Sequence, residues 1–201
     1  MKRQSSRFST DELNTVINNW ELIVEEYNGS LKIKKTTVDK RGLVTQVIFK
    51  ENVSHLYFVL HRLEISIPYK GGRILIQSGE TKPPLFEYSV KNSKYTFSIR
   101  DEDLFDKFAK LFGTGELQVG DTEFDNKYFL ETNDNKFLEF FLDYKIRNWL
   151  NENQIAYFDL NSQKAKNKIS AYLFFDELNT ESIKHQVEIF KYCIERLNNA
   201  L

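Results

Sequence analysis

Three features of the chain predict an α+β fold, with a mainly antiparallel sheet built from hairpins. Apolar residues recur at helical spacing near the N-terminus and again near the C-terminus. Between them, short runs alternate apolar and polar side chains and are bounded by Gly, Pro, Asn and Asp clusters. Pairs of such runs precede helical stretches, without the strand–helix rhythm of a parallel doubly wound sheet. The expectation is a sheet with an N-terminal helix, two internal helices and a C-terminal helix packed on it.

Residues 1–8 read as a loose polar tail, and 9–201 as a single domain with a sub-boundary near 79–84. Ser9 and Glu12 form a capping box. Leu13, Val16, Ile17, Trp20, Ile23, Val24 and Tyr27 follow at helical spacing, and Asn28-Gly29 closes the helix. Leu31 and Ile33 alternate with Lys32 and Lys34 as a strand, and Asp39 to Gly42 turns into a second strand over Leu43 to Phe49. Leu56 to Ile67 is long and rich in β-formers, but its two halves hold opposite parity. A bulge or bend near His61 reconciles them. Pro68 and Gly71-Gly72 end that run, and Arg73 to Gln77 starts another.

The clearest expected hairpin joins Phe86, Tyr88 and Val90 to Tyr95, Phe97 and Ile99 through a turn at Lys91 to Lys94. Asp101 or Asp103 caps a short helix through Leu104, Phe108 and Phe112. Two short strands, Leu117 to Val119 and Lys127 to Glu131, are expected around a Gly120-Asp121 turn. One helix should run from Asn133-Asp134 through Phe137, Phe141, Ile146 and Trp149. Ile155 to Leu160 and Lys168 to Phe175 pair across a polar turn. Thr180 caps the last helix, with Ile183, Val187, Phe190, Ile194 and Leu197 as its stripe.

The 201 residues suit one large domain. A 41% hydrophobic share, rich in Phe, points to a bulky core and excludes general disorder. A net charge of −1 supplies no basic field for phosphate backbones, which argues against nucleic acid as a partner. The one Cys excludes an internal disulfide framework and fits a reducing compartment, hence the cytoplasm. Met1 to Ser9 lacks a signal peptide's apolar run, and no stretch reaches the ~18 apolar residues of a membrane helix, so membrane insertion is not expected. Asn28-Gly29-Ser30 and Asn52-Val53-Ser54 are then chance glycosylation triplets.

Few residues suggest chemistry. His55 and His61 stand about 20 Å apart on a regular strand at roughly 3.3 Å per residue, too far to share a metal. His185 reads as a surface or partly buried histidine, and Cys193 as a small buried hydrophobe. Gly113-Thr114-Gly115 lacks the third glycine of a dinucleotide fingerprint, where Gln118 stands; Ser78-Gly79 lacks the preceding glycine of a nucleophile elbow. Asp121, Glu123 and Asp125 alternate and are the candidate metal ligands for Ca²⁺ or Mg²⁺. The competing reading is a turn, with Asp121 bonding backbone amides and Phe124 anchored in the core. Lysines 32, 34, 35 and 164, 166, 168 read as solvated edges.

The segment Gly120-Asp121-Thr122-Glu123-Phe124-Asp125-Asn126-Lys127-Tyr128-Phe129 resembles a G-D-x-E-F-D-x-x-F/Y pattern of uncharacterised bacterial proteins, some with membrane helices ahead of the domain. The likeness extends over Leu31 to Leu201, and the short motif is its specific part. The resemblance implies a fold-stabilising role for Gly120, Asp121, Phe124, Asp125 and Phe129, and no chemistry.

The function expected is therefore that of a non-catalytic accessory or binding domain without a cofactor. Its partner would be a protein or an apolar small molecule, held at a sheet edge or in an aromatic cavity between sheet and last helix. A metal-dependent hydrolase-type enzyme using Asp121, Glu123 and Asp125 is one alternative. Weak nucleic-acid binding through the lysine groups is another.

Overall fold

The computed structural model describes residues 7–38, 44–47, 57–79, 82–91, 93–101, 118–161 and 167–200. His55, the expected helix through Leu104 to Phe112, the Gly113-Thr114-Gly115 stretch, and Lys164 and Lys166 lie outside them. The fold is α+β, with antiparallel pairing at every strand pair whose register is resolved and helices at the N-terminus, in the interior and at the C-terminus. Among the described residues, no helix is long and apolar enough to cross a membrane. The chain divides into two compact units. One comprises 1–85 and 176–184; the other comprises 86–175 and 185–201.

The first unit starts with α1, Thr10–Glu26. Its N-cap is the expected capping box, with the Ser9 amide donating to Glu12 and the Glu12 amide to Ser9 Oγ. Val16, Trp20 and Ile23 form its buried stripe. At its end Asn28, not Gly29, takes the left-handed conformation, at φ 50°. Gly29 serves a different need: a Cβ there would meet the Ser66 carbonyl oxygen at 2.7 Å.

The strands of this unit are β1 (Ser30–Val38), β2 (Val44–Val47), β3 (Tyr57–Tyr69) and β4 (Gly72–Ser78), in the order β2-β1-β3-β4. Lys34 faces Arg62 and Lys35 faces Leu60, which leaves His61 as the extra residue of a bulge. The opposite parities on either side of His61 are reconciled there, and Leu63, Ile65 and Ile67 point into the core. Lys70 and Gly71, both at positive φ, make the two-residue turn from β3 to β4.

A buried carboxylate organises the first unit. Glu177 is 1% exposed. Its Oε1 accepts from Trp20 Nε1 at 2.8 Å and from Ser78 Oγ at 2.5 Å, and its Oε2 pairs with the Arg7 guanidinium. Asn19 Nδ2 donates to the Glu177 carbonyl at 3.0 Å. Within the stretch expected to be loose, Arg7 is thus held in place, and it also donates to the Gly79 carbonyl.

The second unit holds β5 (Leu85–Ser89, from Phe86 on), β6 (Phe97–Asp101), β7 (Tyr128–Thr132), β8 (Gln154–Leu160) and β9 (Lys168–Phe174), in the order β5-β9-β8-β6-β7. The expected β5–β6 hairpin does not form, because the β8–β9 hairpin lies between them. Two asparagines supply the reason. Asn161 Nδ2 donates to the carbonyls of Ser93 and Tyr95, and Asn133 bonds the Thr96 amide and the Lys94 carbonyl. Side chains thereby satisfy the 93–96 backbone that a hairpin ladder would otherwise have used.

The helices of this unit are α2 (Thr122–Lys127), α3 (Asn135–Phe141) and α4 (Tyr144–Glu152). The last helix, α5 (Thr180–Ala200), begins in the first unit and continues here from residue 185. The helix expected over 133–150 is two helices, since Asp143 accepts from the Ile146 amide and starts a second one. Likewise α5 is capped by Asn179, which accepts from Glu181 N at 2.9 Å, and not by Thr180, whose hydroxyl donates to Asn19.

The core of the second unit is aromatic. Phe97 packs on Phe141 and Phe158 at 5.0 and 5.2 Å between ring centroids, and Trp149 meets Phe158 edge-on. The buried Trp149 Nε1 donates to Gln186 Oε1 at 2.6 Å, and Gln186 donates on to Asn153.

Burial raises the proton affinity of Glu177 above the ordinary value of 4.5, against the opposing pull of Arg7. A carboxyl whose folded value is raised contributes fully below pH 4.5, and that contribution is lost as pH rises through the folded value. Arg7→Ala is expected to lower the unfolding free energy by about 2 kcal/mol at pH 7, below the range for fully enclosed pairs because Arg7 is partly exposed. The deficit should shrink at pH 5, where the unpaired carboxyl takes up a proton. Urea unfolding at both pH values measures this; equal losses would contradict it.

Candidate functional site

The acidic motif is a helix start rather than a turn between strands. Asp121 is the N-cap of α2 and accepts from the Phe124 amide at 3.2 Å. Its other oxygen takes Arg147 Nε, also at 3.2 Å. Asp125, buried, folds back and accepts the amides of Val119, Gly120 and Asp121 at 3.0, 3.1 and 3.2 Å. Glu123 points outward and is exposed. Gly120 sits at φ 77°, and Phe124 is fully buried with its ring 4.8 Å from that of Tyr128. Phe129 lies on the opposite side of β7 under the Arg100 guanidinium, 4.4 Å from its centre.

The three candidate ligands are therefore not brought together. Two of them are spent on backbone amides and an arginine, and among the described residues no group of three or more His, Cys, Asp or Glu is placed to hold a metal. His185 is exposed on α5, and the His61 side chain is outside the described set. Cys193 is fully buried, and burial, with the nearby Asp143 charge, pushes its thiol well above the ordinary value, away from the reactive thiolate.

Between the sheet and the last helix of the second unit, where an aromatic cavity is expected, buried rings pack together. Phe86 and Phe190, both fully buried, meet there at 5.4 Å. The concavity lies on the other face of that sheet. Phe97, Ile99, Phe158, Leu160, Ile169 and Ala171 point into the core, so their strand neighbours point away. Those neighbours line a groove of about 1010 Å³.

One row crosses four strands along its floor. Glu131 stands opposite Ser98, Ser98 opposite Asp159, and Asp159 opposite Ser170. Directly opposed residues on antiparallel strands hold their Cβ atoms about 5 Å apart. The row thus places a carboxylate between two hydroxyls. Asp159 and Ser170 are 9% and 2% exposed, unusual for polar residues beside a groove. Among the described residues, the Ser170 hydroxyl has no hydrogen-bond partner.

Arg100 on β6 and Tyr157 on β8 also line the groove, and Tyr157 stacks on its cross-strand partner Tyr172 at 5.6 Å and 21°. At the rim, Lys168 pairs with Glu87 at 3.1 Å. Burial raises the Tyr157 phenol above its ordinary value, and Asp159 and Glu87 push it further the same way. Among the described lining residues there is no histidine or cysteine to serve as base or thiol nucleophile. The arrangement is suited to bonding a polar molecule.

Sequence reasoning missed this floor because polar residues alternating with apolar ones read as an ordinary solvated sheet face. The available signal was the size of the residues: Asp159 and Ser170 are short side chains amid bulky neighbours, which leaves a hollow. Comparison with known proteins gives no family model, no curated protein and no solved structure that matches the chain.

Two outcomes follow. Asp125→Ala should cost about 3 kcal/mol by urea unfolding, because three amides lose a charged acceptor; Ca²⁺, Mg²⁺ or Mn²⁺ should leave the melting temperature unmoved, and a saturable rise would return the acidic residues to a metal site. Ser170→Ala removes a hydroxyl that is buried unbonded, so it should be neutral or stabilising by about 1 kcal/mol in thermal unfolding. A clear loss of stability would show that the hydroxyl is bonded.

Proposed function

We propose that this chain is a non-catalytic binding domain whose binding surface is the polar groove of the second unit. The observation that carries the reading is the buried, unbonded Ser170 hydroxyl beside a carboxylate on a concave floor. A buried polar group without a partner costs about 1–3 kcal/mol. Binding sites are where such a group finds its partner in a ligand. Because the floor row carries carboxylate and hydroxyl groups, the ligand is one with polar groups to meet them rather than the wholly apolar one expected from the aromatic content. The hydrolase reading gains no support from Asp121 and Asp125, whose oxygens are engaged in capping. A single, buried Cys193 supports a reducing compartment such as the cytoplasm.

Amide spectra of the isotope-labelled full chain, screened against a library of small polar fragments, test the proposal. Shifts are expected to cluster on Ser98, Arg100, Asp159 and Ser170, and the double variant Ser98→Ala/Tyr157→Ala should weaken them at least tenfold. Fragments that bind only on other surfaces, or that are chemically converted, would overturn it.

A further inference from the structure

We propose that the outer face of the first unit's sheet holds a compact polyphosphate, with two or more linked phosphate groups seated between Lys32 and Arg73. The face belongs to the first unit, so the inference does not depend on the groove reading above.

Strand alternation brings its residues together. Ile65, Ile74 and Ile76 point into the core, so their neighbours along β3 and β4 face away from it. Lys32 stands opposite Glu64, and Glu64 opposite Gln77; Ser30 stands opposite Ser66, and Ser66 opposite Leu75. These two rows floor a hollow of about 410 Å³, and Lys32 and Arg73 both line it. Small-molecule sites run from about 300 to 1,000 Å³.

Charge selects an anion. Lys32, Lys34, Arg62 and Arg73 lie on this face, and among the described residues of β1 to β4 Glu64 is the one carboxylate. The chain's net charge of −1 conceals this segregation. Pairing within the face leaves the sum unchanged. Lys34 donates to Glu64 at 2.7 Å, and Arg62 stands 3.6 Å from the same carboxylate, while Arg73 bonds the neutral Ser66. One carboxylate against four cations leaves a surplus of three positive charges. The hydrogen bond from Lys34 holds the Glu64 carboxyl below its ordinary value, and the charges of Lys34, Arg62 and Lys32 add to that pull.

Fold stability does not account for the surplus. Lys34 directly opposes Arg62, and like charges so placed are destabilising. Arg62 is on β3, between β1 and β4, so its charge is not edge protection.

Donor chemistry points to phosphate. Lys32 supplies a point charge, and Arg73 a planar fork that suits phosphate oxygens. A guanidinium has five N–H donors, of which Ser66 takes two, on its hydroxyl and its carbonyl. The Ser66 hydroxyl, accepting from Arg73 Nε, keeps its own proton for a ligand oxygen. A phosphate monoester carries a charge of about −2, short of the surplus, and two linked phosphates match it. No aromatic ring stands among the described lining residues to stack a base, so the hollow suits phosphates themselves rather than a single-stranded nucleic acid.

Calorimetric titration and amide spectra of the full chain at low salt test this with pyrophosphate, tripolyphosphate, inorganic phosphate, citrate and a thymidine oligonucleotide. Pyrophosphate and tripolyphosphate are expected to bind at one site, at least tenfold more tightly than inorganic phosphate or citrate, and to shift Lys32, Ser66 and Arg73. Added salt should weaken the binding, because the charges are exposed. Lys32→Ala and Arg73→Ala, both at exposed positions where the fold is kept, should each weaken it at least fivefold; Lys136→Ala, exposed on α3, should leave it unchanged. Citrate binding as tightly as pyrophosphate would overturn the phosphate assignment. So would binding of the oligonucleotide alone, or polyphosphate binding that Lys32→Ala and Arg73→Ala do not alter. No shift on this face with any of the five would also overturn it, and the groove reading, tested by fragments on other residues, would stand.

Discussion

A strand that buries every second side chain must present the others to the opposite face. In the second unit this constraint decides almost everything of functional interest. Phe97, Ile99, Phe158, Leu160, Ile169 and Ala171 are drawn to the helices by the hydrophobic effect. Ser98, Asp159 and Ser170 are carried to the far side by the same backbone. The groove floor is therefore a consequence of core packing, and its row is held as firmly as the ladders that align β7, β6, β8 and β9. A site built on strands keeps its groups in place without the ordering loss that a loop would incur on binding.

Buried polar groups shape the rest of the chain, and each ties together segments far apart in sequence. Glu177 gathers Trp20, Ser78 and Arg7. Asn161 and Asn133 fasten the 93–96 backbone. Gln186 links Trp149 and Asn153. Nearly every such group is matched donor to acceptor, as a low-dielectric interior demands. Against that background the unbonded Ser170 hydroxyl stands out, since it sits on the floor of a concavity and not within the packed core.

The acidic motif shows the opposite economy of charge. Alternating carboxylates suggest ion binding when drawn out along a strand. On a helix start they separate: Asp121 caps, Asp125 turns back to three amides, and Glu123 faces outward. Negative charge at the first turn of a helix is favourable against its dipole, which accounts for the residue types without an ion.

Periodicity and capping chemistry alone determined the α+β class, α1 with its Ser9–Glu12 box, the bulge at His61, the β8–β9 pairing and the apolar stripe of α5. These are local, set by side-chain spacing and by bonds between residues a few positions apart. Three things were decided only by tertiary structure. The β8–β9 hairpin separates β5 from β6, which no turn signal at 91–94 could reveal, because the choice depends on Asn161 and Asn133 reaching that backbone from afar. Glu177 carries no local signal, because its partners Trp20, Ser78 and Arg7 come from three other segments. The groove row needed the registers of four strands at once, since Glu131, Ser98, Asp159 and Ser170 become neighbours only when the sheet is assembled. Spacing along a chain specifies which face a side chain takes; which distant side chain it meets there depends on long-range pairing that a single sequence does not encode locally.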